Sequence, residues 1–145
     1  MESAESIEIG YATIARVLRQ FPSLRAIEDS DVPVEISFTL PVQNGLQHKV
    51  WLALQNNDEL TFGVNHFQCE WFPCTESSRA EEFVDAVAGW LSGRHRILEH
   101  YRGSRCVKAE LQARDEDEWK TLATWSLLWI PFPFRKTFEV LTNNR

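Results

Sequence analysis

Apolar side chains recur near the start of the chain at Ile7, Tyr11, Ile14, Leu18 and Phe21. This 4-3-4-3 spacing lines one face of an α-helix. Ser6 is placed to cap the helix, Glu8 lies near the positive end of its dipole, and Pro22 stops it. Gly10 is its weak point. Ser23 to Val32 reads as an acidic loop.

The spacing then changes to period two. Val34, Ile36, Phe38 and Leu40 alternate with Glu35, Ser37 and Thr39 between Pro33 and Pro41, which predicts a half-buried strand. Asn44-Gly45 is a hairpin turn signal. Leu46, His48, Val50, Leu52 and Leu54 form the next alternating run, and Asn56-Asn57-Asp58 turns it. In the third run the apolar set shifts parity, from Leu60, Phe62 and Val64 to Phe67, Cys69 and Trp71. A β-bulge or bend near Gly63–His66 is the expected cause.

A second helix follows. Ser78 with Glu81 has the spacing of a capping box, Phe83, Val84, Val87, Trp90 and Leu91 make the apolar stripe, and Gly93 supplies a left-handed stop. Beyond it, His95 to Tyr101 is polar on both faces. Val107, Ala109, Leu111 and Ala113 alternate with Cys106, Lys108, Glu110 and Gln112. The acidic turn 115–117 leads into an apolar run from Trp119 to Ile130. Phe134 to Leu141 is expected to form a short terminal helix.

The resulting order is α-βββ-α-βββ, an α+β class. Residues 1–145 are read as a single domain of two halves, roughly 1–74 and 75–145. The strands would make an antiparallel sheet, continuous or as two half-sheets side by side, with two helices packed on one face. The α-βββ-α-ββ part of this order, together with the acidic pI, resembles small secretion-chaperone-like domains, a resemblance that no motif carries. It implies a dimer that binds partner segments.

Composition narrows the function classes. The 145 residues carry 15 Lys and Arg against 21 Asp and Glu, for a net charge of −6. That balance argues against nucleic acid as a partner. The acidic N-terminus lacks the features of a signal peptide, and no apolar stretch approaches the length of a membrane span. A soluble, cytoplasmic protein with no membrane partner is the expectation. Three cysteines, Cys69, Cys74 and Cys106, are too few for a secreted disulfide framework.

Candidate chemistry is sparse. His66, Cys69, Cys74 and Cys106 would make a Cys3His set. However, His66 and Cys69 lie three apart on an expected strand and should point to opposite faces. Three small thiols and no metal or other cofactor are therefore expected. No nucleophile elbow or phosphate loop occurs, so no catalytic residue is assigned.

Two features stand out. Arg94, Arg96, His100 and Arg102 share a face at strand spacing, and guanidinium forks suit carboxylates and phosphates. They form a candidate site for an acidic peptide or small anionic ligand. The competing reading is an edge strand guarded by charge, or cross-strand pairing with Glu110 and the acidic turn 115–117. Among six tryptophans, Trp119, Trp125 and Trp129 share one parity on the last long strand. They form a candidate aromatic pocket or interface, or else fill a core. Leu122 to Ile130, apolar on both faces, is expected to be a central or interface-covered strand rather than a free edge.

The expected function is a non-enzymatic ligand- or partner-binding domain, as a homodimer. The alternative is a small enzyme or small-molecule binder. Its pocket would lie between sheet and helices, with His66, Glu70, His100 and the arginines as its polar groups.

Overall fold

The computed structural model describes residues 2–127 and 135–144. Helix α1 (Glu2–Arg19) begins earlier than expected. Ser6 is a buried residue inside it rather than its cap. Gly10 is also internal, and its missing side chain has a packing reason. A Cβ there would lie 2.8 Å from Leu54 Cδ2, so a larger residue would have to displace that buried side chain for the helix to approach the sheet this closely. The helix tightens at its end, where the Gln20 amide donates to Val17 and the Phe21 amide to Leu18.

Five antiparallel strands follow: β1 (Ile27–Glu28), β2 (Ile36–Leu40), β3 (Val50–Gln55), β4 (Glu59–Val64) and β5 (Phe67–Trp71). They form one sheet in sequence order. The parity change after Val64 is neither a bulge nor a bend. Val64 pairs with Phe67, so Asn65 and His66 are a two-residue turn between separate strands. Asn65 takes a φ of 53°, a left-handed conformation that Asn tolerates better than most residues.

Helix α2 (Ser77–Leu91) has Glu76 at its N-cap with no side-chain cap bond. The capping box does not form, because the Ser78 hydroxyl donates to the Glu76 carboxylate instead. The stop is as expected: Gly93 has a φ of 83° and its amide donates to the Trp90 carbonyl. The two helices pack on each other and on β2 to β5.

A second antiparallel sheet contains β6 (His95–Arg102), β7 (Arg105–Asp115), β8 (Glu118–Ser126) and β9 (Lys136–Thr142), in the order β8-β7-β6-β9. Three expectations are corrected here. The terminal segment is strand β9, not a helix, because pairing with β6 captures it. The basic strand β6 is bonded on both sides, so it is not an edge guarded by charge. Among the described residues β8 ends the second sheet rather than lying at its centre, and Leu122 on it is 44% exposed; a strand covered by an interface stays an expectation. The rest of that apolar run, 128–130, lies outside the described residues.

One buried cluster joins both sheets. Trp90, Phe62, Phe67 and Phe83 are its largest fully buried members, and it extends to Ile97, Ala109, Leu111 and Leu141 on the inner face of the second sheet. Asn143 closes the structure: its buried amide donates to the carbonyls of Gly45 and Leu91. No helix among the described residues is long and apolar enough to cross a membrane.

Gly89 of α2 faces the His95 ring so closely that a Cβ would overlap it. Gly89→Ala would gain about 1 kcal/mol in helix propensity. Overpacking costs about 1–3 kcal/mol and should win. Denaturant unfolding is expected to show Gly89→Ala destabilising in the parent. In a His95→Ala background the same change should be neutral or stabilising. A destabilisation of equal size in both backgrounds would show that the ring contact is not the cause.

Candidate functional site on the outer face of the second sheet

The two faces of the second sheet differ in chemistry because β6 keeps a strict alternation along its length. Ile97 and Glu99 point inward and are fully buried. Arg96, Leu98, His100 and Arg102 point outward together, as their spacing implied. Arg94 lies before the strand and is exposed, so it is not part of that row.

Register extends the outer face over the neighbouring strands. Arg96, Leu98, His100 and Arg102 stand opposite Thr142, Val140, Phe138 and Lys136 of β9. On β7 the same face carries Gln112, Glu110 and Lys108. After an irregularity that leaves Val107 as the extra residue, it carries Arg105. Arg114 continues the row opposite Trp119.

Among the described residues this face thus holds six cationic side chains, Arg96, Arg102, Arg105, Lys108, Arg114 and Lys136, against one carboxylate, Glu110. Between them lie Phe138 and Val140, each 52% exposed. The chain as a whole carries −6, so the positive charge is a local feature of this sheet.

The lone acid is already engaged. His100 Nε2 lies 2.6 Å from one Glu110 oxygen, and the Thr121 hydroxyl donates to the other at 3.1 Å. Burial pushes the Glu110 carboxyl up, but the His100 and Thr121 hydrogen bonds and the Lys108 charge outweigh it. The group sits below its ordinary value. The His100 ring also packs edge-on against Phe138, with centroids 4.9 Å apart. Arg96 donates from Nε to Gln112 and lies 4.2 Å from the centre of the Trp119 ring; Arg114 lies 5.5 Å from it. Cation–π contact of this kind holds a guanidinium flat and leaves its edge donors available.

The tryptophan row does not form. Thr121 pairs with Gln112 but Ala123 pairs with Leu111, so Leu122 is an inserted residue in β8. This bulge reverses the alternation. Trp119 therefore joins the outer face, and Trp125 turns inward against the core. Trp129 lies outside the described residues.

The remaining candidates are dispersed. The three cysteines are free. Cys74 donates to the Ser6 carbonyl beneath α1, and Cys69 is half-buried in β5, so the Cys3His grouping is not assembled. A groove of about 320 Å³ between α2, β5 and β8 is walled by Trp71, Glu82, Asp85, Ala86, Lys120 and Leu122 among others. His66, Glu70, His100 and the arginines are not in its described walls. The polar groups expected of a pocket between sheet and helices are not gathered there. No family model, curated protein or solved structure matches the chain.

Arg105 and Lys108 belong to the basic stretch 94–108 in the sequence, but Arg114, Lys136, Phe138 and Val140 are members of this face that sequence reading missed. The alternation Lys136, Phe138, Val140 was present, but a terminal helix was assigned over it.

Because the folded Glu110 carboxyl is depressed, its contribution to stability is full above the ordinary value of 4.5 and is lost as pH falls through the lower folded value. Glu110→Gln is expected to cost about 1–2 kcal/mol at neutral pH, the scale of a hydrogen bond to a charged group. The gap between parent and variant should close in acid unfolding titrations. A gap that is constant with pH would mean that Glu110 is not held as a carboxylate.

Proposed function

We propose that this is a non-enzymatic partner-binding domain. Its outer second-sheet face takes an acidic protein segment that also carries apolar side chains. The single observation supporting this is the charge reversal: six cations surround Phe138, Val140 and Leu98 on one face of a chain whose net charge is −6. A carboxylate-bearing segment would meet the guanidinium forks bidentately and bury its apolar residues on Phe138 and Val140. The net charge of −6 disfavours nucleic acid as the partner, and single-stranded DNA serves as the comparison ligand. The domain is proposed to be soluble and cytoplasmic. Arg102 and Arg96 of the sequence-derived candidates carry the binding role, and His100 is occupied by Glu110.

A homodimer is the second part of the reading, and the observation favouring it is that, among the described residues, β8 has no strand hydrogen-bonded on its far side and Leu122 on it is exposed. A second copy would add there by strand pairing. Light scattering on the purified chain at micromolar concentration is expected to give twice the chain mass. A monomer would remove the dimer and leave the peptide face standing.

The peptide reading is tested with a synthetic peptide alternating Glu with Leu and Phe, its Lys counterpart, and single-stranded DNA. The acidic peptide is expected to bind, more weakly as salt rises. The double variant Arg102→Glu/Lys136→Glu should lose at least tenfold in affinity, and stability should stay within about 0.5 kcal/mol, as for surface changes. No binding at low salt, unchanged binding by the double variant, or DNA binding as tightly as the peptide would each refute the proposal.

A further inference from the structure

The inner face of the second sheet holds an arrangement that the outer-face reading does not use. Glu99 of β6 is fully buried. Its carboxylate accepts from Asn65 Nδ2 at 2.7 Å and from the Tyr101 hydroxyl at 2.9 Å. Both donors are neutral, and the ion pairs among the described residues lie elsewhere. Register places Glu139 of β9 directly opposite Glu99 on the same face. Like charges opposite each other destabilise a sheet, and a buried carboxylate is costly without a counter-charge.

Two further donors converge on this carboxylate. His66, in the turn between β4 and β5, and Cys106, buried in β7, place one ligand atom each within 4.8 Å of each other and of a Glu99 oxygen. A tetrahedral ion with bonds of ~2.0–2.3 Å needs donors about 3.3–3.8 Å apart. The 4.8 Å limit on their spacing exceeds this by about an ångström, so binding an ion draws the three side chains together by up to that much. A carboxylate has about four lone-pair sites, and Asn65 and Tyr101 use two of them. Those two bonds would orient the carboxylate as outer partners orient metal ligands generally.

We propose that His66, Glu99 and Cys106 bind a divalent first-row transition ion of the zinc type, with the fourth position open to solvent on the His66 side. Imidazole, thiolate and carboxylate together suit such an ion rather than calcium or magnesium, which prefer oxygen alone. The ion supplies a positive charge beside the buried Glu99 carboxylate. Burial first, and then the Glu99 charge, push the Cys106 thiol up. A metal binds the thiolate, so binding releases the thiol proton to solvent as the thiolate–metal bond forms. Affinity should fall as pH is lowered.

The test uses the full chain, stripped with chelator and titrated with Co2+ and then Zn2+. One cobalt per chain is expected, with a thiolate-to-cobalt charge-transfer band that zinc abolishes. Cys106→Ser should remove the band, and Cys69→Ser should leave it intact. His66→Ala should weaken binding at least tenfold without changing the melting temperature of the metal-free protein, because His66 is exposed at a turn. A missing band, a band that survives Cys106→Ser, or a His66→Ala variant that binds as tightly as the parent would overturn the assignment. These readouts do not depend on the acidic-peptide face, which lies on the other side of the sheet.

Discussion

Pairing of β6 on both sides is the constraint on which the second half of the molecule depends. Bonded to β7 and to β9, β6 has no freedom to slip, because a one-residue shift would exchange its two faces. That shift would carry Ile97 and Glu99 outward and drive Arg96 and His100 into the core. Its register sets what each neighbouring strand presents, so the basic outer face and the buried Glu99 cluster are two consequences of one alignment.

The irregularities in β7 and β8 modify this alignment locally. The extra residue at Val107 lets Cys106 turn inward toward Glu99 while Arg105 remains outward. The inserted Leu122 does the same for the tryptophans, sending Trp125 to the core and Trp119 to the arginines. Both bulges lie where chemically distinctive side chains change faces, since an inserted residue re-aims the side chains beyond it. The acidic charge of the chain is thereby kept off one sheet face, and a cationic surface with an apolar centre is assembled from β6, β7 and β9.

The contact between the two halves has its own polar terms. Asn65, from the β4–β5 turn, reaches Glu99 of β6, and Asn143, after β9, reaches the carbonyls of Gly45 and Leu91. These bonds satisfy buried groups that would each cost about 1–3 kcal/mol if left alone. They also orient the second sheet on the core formed by the first sheet and the helices. A polar contact of this kind is directional, whereas the surrounding apolar contacts tolerate sliding.

Local pattern alone determined the α+β class, the presence of both helices, the stop at Gly93, strands read over 34–40, 46–54 and 106–113 that overlap β2, β3 and β7, and the shared outward face of Arg96, His100 and Arg102. Each depends on a periodicity or turn residue contained within about ten positions. The tertiary structure decided the rest. Whether 65–66 is a bulge or a turn depends on which strands pair across it. Whether 136–142 is helix or strand depends on an edge of β6 some forty residues away. Whether Trp119 and Trp125 share a face depends on a single inserted residue that parity counting cannot see. The grouping of His66, Glu99 and Cys106 was invisible for the same reason. Side-chain chemistry is written along the chain, but which residues meet is set by strand register between distant segments.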